Sequence, residues 1–309
     1  MLTICFANDF WPSVPKTLPD CPYPCELLFD RDRVADADVV VFHIPTLWSA
    51  PGFRKRRAQK WVAWSMESDV NYPRLADPAF MRQFDLTMTY RRDSDVWTPY
   101  FDVSILEGLS TPPEVKSEVA PAVYFASNDR DRSGRRDYVA ALMEHLSVDS
   151  YGRSLRNRTV EQDDGRSTKL ATVARYKFTL AFENSISPDY VTEKFFDPLL
   201  AGSVPVYLGA PNIADYAPGE HCYVNVADFA GPAELAAYLL HLHHDDREYA
   251  RMLAWKTQPL RPAFVQMVAQ TRLHPLCRLA ALCASDRPHT PLARLRRAVS
   301  AIRKLESRR

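Results

Sequence analysis

At 309 residues, 46% of them apolar and 25% charged, the chain has the composition of a soluble globular enzyme with room for two cores. No apolar run approaches the roughly 18 residues of a membrane span, and with a net charge of +1 and no recognisable nucleic-acid module, a nucleic-acid partner is not expected. The first residues, MLTICFANDFWP, carry no basic flank leading into an apolar stretch, so the chain is expected to open directly on a strand.

Strand-like runs are predicted at 2–7, 37–44, 60–66 and 84–90, separated by helical and loop segments. The passage 109–121, LSTPPEVKSEVAP, is poor in apolar residues and holds three prolines, which marks it as the domain boundary. Beyond it the pattern restarts with a strand at 122–126, a helix at 135–146 with Tyr138 and Leu142 on one face, a strand at 148–151 and a helix at 167–176. The aromatic run from Phe178 to Phe182 and the run from Val204 to Leu208 read as strands covered on both faces. Between them Ser187 and Pro188 are expected to open a helix whose Val191, Phe195 and Leu199 recur every fourth position and which stops at Gly202. A strand at 222–226 and a helix at 232–244 follow, the latter with Leu235, Leu239 and Leu242 inward. Two successive alternating halves predict an α/β fold of two Rossmann-like parallel-sheet domains facing a cleft, at 1–115 and 121–270, with C-terminal helices over 271–309.

The loop after Phe182 concentrates Glu183, Asn184, Tyr190, Glu193 and Lys194 where a helix N-terminus favours phosphate. Lys194 suits a diphosphate, Glu193 can accept from ribose hydroxyls, and Asn184 offers both donor and acceptor. Glu67 ends the strand at 60–66; its local sequence alone reads as a surface charge, although a carboxylate at that end of a parallel strand projects toward the ligand crevice. Ser127 and Asn128 follow the strand at 122–126 and can touch a nucleotide or cap a turn. His43, alone at a strand end, reads as structural.

The stretch FENSISPDYVTEKFFDPLLAGSVPVYLG resembles the signature of the alpha-1,3/1,4-fucosyltransferases, glycosyltransferase family 10, over a long ungapped match. WSMESD resembles the family's FES motif, with Met66 in place of an aromatic, and TYRRDSDVWTPY resembles its YRxDSDVxxPY block. A third similar block runs through SNDRDRSGRRDYVAALMEHLSVDSYG. The resemblance implies the GT-B arrangement, acceptor domain first and nucleotide-sugar domain second. It makes Glu67 the leading base and gives Arg135, ahead of Arg136 and Arg132, the task of gripping the donor phosphates with Lys194. Donor contacts are then expected from Arg135, Asn184, Tyr190, Glu193, Lys194, Ser127, Asn128 and Glu183. Asp93 and Asp95 of the second block read as loop aspartates, no metal site is expected, and GDP-fucose is a co-substrate with no essential cofactor.

The implied reaction is inverting transfer of L-fucose from GDP-β-L-fucose to a hydroxyl, O3 for preference, of an N-acetylglucosamine residue in a glycan. Two alternatives stand beside it: a transferase for another GDP-sugar, and a catalytically silent glycan-binding protein of the same fold. Among six cysteines, Cys21 can pair with Cys25 and Cys277 with Cys283; HPLCRLAALC resembles a CRxC of eukaryotic relatives but has Ala280 at the second cysteine, which argues for reduced thiols. Residues 287–309 carry +7, leaving −6 elsewhere, and Leu292, Leu295, Val299 and Ile302 give that segment an amphipathic helical spacing. It fits either a solvated terminal helix or attachment to anionic lipid, and the similar basic tails of some bacterial relatives favour the latter. Cytoplasmic localisation at the inner membrane face is therefore expected.

Overall fold

The computed structural model of the protein describes residues 1–8, 14–49, 51–128 and 130–285. In chain order its strands are β1 (Leu2–Phe6), β2 (Cys25–Leu28), β3 (Val39–His43), β4 (Lys60–Ser65), β5 (Leu86–Thr89), β6 (Val96–Trp97), β7 (Ala122–Tyr124), β8 (Val148–Ser150), β9 (Phe178–Phe182), β10 (Val204–Leu208) and β11 (Val224–Asn225). The helices are α1 (Pro78–Met81), α2 (Ile105–Leu109), α3 (Arg135–Leu142), α4 (Arg166–Ala174), α5 (Glu193–Ala201), α6 (Pro232–His244), α7 (Asp246–Arg251), α8 (Pro262–Ala269) and α9 (Pro275–Ser285). The expected strands and helices are present, and β2 and β6 are additions, mostly apolar but only four and two residues long, too short to announce themselves.

Two compact units partition the chain. The first comprises Met1–Trp64, Gln83–Thr87 and the segment from Leu273; the second comprises Ser65–Arg82 and Met88–Arg272. The first is built on parallel pairing of β1 with β2 and β3, and of β3 with β4, so that Val41 lies opposite both Phe6 and Val62. Every residue of β3 is buried, which explains why VVVFH lacks polar alternation. In this unit Cys21 is disulfide-bonded to Cys277 on α9, with Cα atoms 5.6 Å apart, so the short-range pairs expected from the sequence give way to one bridging 256 positions.

The second unit holds a five-stranded parallel sheet in the order β11-β10-β9-β7-β8. Pro205 sits within β10 without breaking it, because β11 reaches only Val206 and Tyr207 and no neighbour asks for the missing N–H at 205. Helix α5 ends at Gly202, whose φ of 74° is the left-handed C-cap predicted. The Pro-rich passage expected to separate two domains is instead tied down inside the second unit. Lys116 donates to the carbonyls of Ala174 and Gly202 at 2.7 Å each, while Ile105 and Leu109 of α2 join Phe195, Phe196 and Leu199 in one core. The expected boundary at 115–121 thus falls within one unit, and α9 groups with the first.

Candidate active site

The second unit brings together the segments that follow β4, β7 and β9. After β9 the chain does not turn into helix at Ser187 as predicted, but runs on to Thr192, which is the N-cap of α5 and accepts from the Lys194 N–H. Ser187 is occupied elsewhere: its hydroxyl donates to Asp69 at 2.7 Å and lies 3.2 Å from the Tyr90 hydroxyl. Asp189 takes a φ of 64°, tolerable for Asp, and is fixed there by Asn212, by the Tyr216 hydroxyl and by the Arg92 N–H.

Against this loop lies the segment that follows β4, joined residue by residue. The Ser185 hydroxyl donates to that of Ser68 at 2.7 Å, and Asn71 donates to the Asn184 side-chain oxygen at 2.9 Å. Tyr190 donates to the Glu67 carboxylate at 3.3 Å. Burial first, then Tyr100 and Glu67, push the Tyr190 hydroxyl far above its usual range, so it stays a donor. Tyr100 donates to the carbonyl of Met66 and packs edge-on against Tyr190 at 6.1 Å. Glu67 is half-buried, and its backbone is closed into a turn by reciprocal bonds with the Ser65 hydroxyl. The carboxylate expected to act as base therefore lies beside the loop on which the donor contacts are expected.

The cations differ in setting. Arg135, at the start of α3, is 2% exposed and donates to the Phe182 and Asn128 carbonyls at 3.2 and 2.9 Å. Lys194 reaches the Thr192 hydroxyl at 3.0 Å, Glu193 at 3.2 Å and Glu183 at 3.4 Å. Burial pulls its ammonium down, but Glu183 and Glu193 outweigh burial and hold it above its ordinary value. A cleft of about 360 Å³ is lined by Asn128, Asp131, Arg135, Arg136, Arg153, Ser154 and Leu155. Asp131 closes the N-terminus of α3 by accepting from the Arg135 and Arg136 N–H groups at 3.1 and 2.9 Å, so that helix end offers an incoming phosphate side chains more than amides. Ser127 and Asn128 are exposed; the Ser127 carbonyl carries the Arg153 guanidinium, and the Asn128 side chain accepts from the Arg130 N–H.

Of the predicted residues, Arg135 and Asn128 share the cleft lining, and Glu183, Glu193 and Lys194 form one cluster at the head of α5. Asn184 and Tyr190 face the segment after β4, and Tyr190 meets Glu67. Glu183 departs from expectation: it is wholly enclosed, with both oxygens engaged by Thr192. The sequence reading missed Ser68, Asp69, Asn71 and Tyr100 as partners of this loop. The block containing Tyr100 was a signal, but which of its residues faced inward was not.

Comparison with known proteins bears on the same residues. The model for "Glycosyltransferase family 10 (fucosyltransferase) C-term" matches residues 115–299, and that for "Fucosyltransferase, N-terminal" matches 2–101. The chain belongs to glycosyltransferase family 10. Human 4-galactosyl-N-acetylglucosaminide 3-alpha-L-fucosyltransferase FUT6 is 35% identical over 82% of this chain and 72% of its own length. The GDP-fucose protein O-fucosyltransferase 3 of Canis lupus familiaris is 38% identical over 63% of this chain, which spans only 44% of that relative. A solved alpha1,3-fucosyltransferase with GDP-fucose superposes over 92% of this chain and 91% of its own, with a TM-score of 0.63 at 20% identity, a likeness of fold. This family-10 enzyme is accordingly a glycosyltransferase of α/β, GT-B type, with the signature loop at the head of α5.

Proposed function

We propose that this enzyme transfers L-fucose from GDP-β-L-fucose, with inversion, to a hydroxyl of an N-acetylglucosamine residue in a glycan, O3 being preferred. The observation that carries this is the joining of Glu67 to the signature loop through Tyr190 at 3.3 Å, which sets a proton acceptor beside the residues that would hold the donor. Glu67 takes the acceptor proton as the hydroxyl attacks the anomeric carbon and the bond to the diphosphate breaks. Charge then builds on the leaving GDP, and Arg135 and Lys194 meet it. Ser127, Asn128, Asn184, Tyr190 and Glu193 complete the donor contacts in this reading, and the two cations take the place of a divalent metal. The human relatives named for N-acetylglucosaminide acceptors support the acceptor class, since they align over most of the chain. A protein hydroxyl is the second reading, supported by the 38% identity to protein O-fucosyltransferase 3.

The test is GDP release from GDP-fucose in the presence of lactosamine, a type 1 disaccharide or an unglycosylated acceptor domain, with and without EDTA. Glu67→Gln should lower turnover by about 10²- to 10⁴-fold while GDP affinity stays within twofold. EDTA should leave the wild-type rate unchanged; a rate lost with EDTA and restored by Mg²⁺ would refute metal independence. As to place in the cell, among the described residues no helix is long and apolar enough to cross a membrane. The basic segment 287–309, on which attachment to anionic lipid was expected, lies outside the described residues. The Cys21–Cys277 bond supports an oxidising compartment over the expected cytoplasm, and thiol trapping in intact cells distinguishes the two.

A further inference from the structure

The wholly enclosed Glu183 has no surface to offer a ligand, yet it stands one residue past β9 in the middle of the signature. Its backbone is pinned on both sides: its N–H donates to the Leu208 carbonyl at 2.8 Å, and its own carbonyl accepts from the Ser133 hydroxyl at 2.6 Å. The side chain lies in a bed with no slack. A Cβ on Gly209 would stand 2.6 Å from the Glu183 Cγ, closer than real Cβ contacts come, so only glycine leaves room there. Of its oxygens, Oε1 accepts from the Thr192 N–H at 2.7 Å and Oε2 from the Thr192 hydroxyl at 2.9 Å.

The direction of that hydroxyl matters. A threonine hydroxyl has one proton and two acceptor sites. Burial pushes the Glu183 carboxyl up and the Lys194 ammonium pulls it back; as a carboxylate it can only accept, so the Thr192 hydroxyl donates its one hydrogen bond to Oε2 and keeps both acceptor sites for Lys194. The Lys194 N–H fills one at 3.3 Å and its Nζ the other at 3.0 Å, while Oε2 of Glu183 lies 3.4 Å from the same ammonium. The Thr192 hydroxyl is thereby fully used, and the Lys194 side chain is fixed at its root by the helix cap and at its tip by the hydroxyl. The Lys194 side chain as a whole keeps 20% of its surface exposed, whereas Glu183 keeps none.

We propose that Glu183 is a positioning residue: it sets the Thr192 hydroxyl as an acceptor and through it aims the Lys194 ammonium at the donor diphosphate, without touching the donor. This rests on the reading of Lys194 as a diphosphate ligand, and it moves Glu183 from the donor contacts to the shell behind them. An isosteric Gln keeps the bond to the Thr192 N–H but turns its NH₂ toward the hydroxyl. That group then has to donate elsewhere or accept from Gln, and loses an acceptor site for Lys194.

The test is titration of the full chain with GDP and, separately, with guanosine, for Glu183→Gln, Thr192→Val, Thr192→Ser and Lys194→Met. Glu183→Gln and Thr192→Val should each weaken GDP by about tenfold or more and leave guanosine within twofold, as expected for loss of a charge-assisted contact to phosphate alone. Thr192→Ser, which keeps the hydroxyl, should bind GDP as the wild type does; Thr192→Val against Thr192→Ser decides the question even where Glu183→Gln does not fold. Equal loss of guanosine and GDP in Glu183→Gln would place the carboxylate on the nucleoside and overturn the proposal. GDP affinity lost in Lys194→Met but kept in Glu183→Gln and Thr192→Val would overturn it while sparing the role of Lys194. Unchanged GDP binding in Lys194→Met would overturn both.

Discussion

The two ends of α5 each hold a lysine ammonium, and they hold it in opposite ways. At the N-terminal end Lys194 faces Glu183 and Glu193, and these raise it despite burial. At the C-terminal end Lys256, 6% exposed, donates to the carbonyls of Leu199 and Leu109 at 2.8 Å each, and burial lowers it to about 8. The helix macrodipole alone would order them the other way, repelling a cation from the N-terminus and favouring one at the C-terminus by about 0.3–1 kcal/mol. Here the partners decide. Two carboxylates outweigh desolvation at Lys194, whereas two neutral carbonyls do not make up for it at Lys256. The carboxylates thus hold the Lys194 proton more tightly than water would, and burial loosens that of Lys256.

The sharpest way to break this contrast is at the N-terminal end. Lys194→Met should lower kcat/KM by about 10²- to 10³-fold, because it removes a charge that the leaving diphosphate needs most in the transition state. It should also leave Glu183 buried without its cation. Steady-state kinetics with varied GDP-fucose checks it; a change in KM alone would mean that Lys194 serves ground-state binding. At the opposite end Lys256→Met should cost about 2–3 kcal/mol of stability in urea unfolding, since it orphans two buried carbonyls, while turnover at 25 °C is unchanged. Gly202→Ala, in the same C-cap, should cost about 2 kcal/mol by differential scanning calorimetry. Its φ of 74° disfavours a side chain, and a Cβ would meet the Pro113 Cα at 2.7 Å.

The smallest effect is a pH dependence whose sign follows from the same contrast. Lys256 has a folded pKa of about 8, below its unfolded value of 10.5. Below pH 8 the side chain is charged in both states and the full cost of burying the charge is felt. Between pH 8 and 10.5 the unfolded chain binds more protons at this site, so stability contributed by Lys256 rises with pH. The stability difference between wild type and Lys256→Met should therefore grow by on the order of 1 kcal/mol from pH 7.5 to 9.5. A difference that shrinks over that range would mean that the carbonyls hold Lys256 as a full cation.

Little of this contrast could be read from the sequence, although the strand, helix and strand that frame it could. Phe178 to Phe182 and Val204 to Leu208 are covered on both faces, so composition alone identifies them, and Gly202 stops the helix where a left-handed residue is required. Helix α5 starts after Ser187 because the Ser187 hydroxyl, a good cap by local chemistry, is used by Asp69 more than a hundred positions away, and a local window does not contain that partner. The site shows the same division. Glu67, Tyr190 and Lys194 were legible as residue types in a motif, but that Glu183 is enclosed and Lys194 is not depends on Gly209 and Thr192 closing around one carboxylate. Lys256 carried no sequence signal, because its partners are backbone carbonyls of two distant helices.

The Cys21–Cys277 bridge also has a consequence for biosynthesis. The first unit is assembled from both ends of the chain, with the second inserted between them. On the ribosome the second unit can finish its parallel sheet as soon as Arg272 has emerged, whereas the first must wait, with β1 to β4 already made, for α9 to arrive. Its unfinished sheet is the part of the nascent chain most exposed to misassociation, and the bridge to Cys277 marks the moment at which that exposure ends.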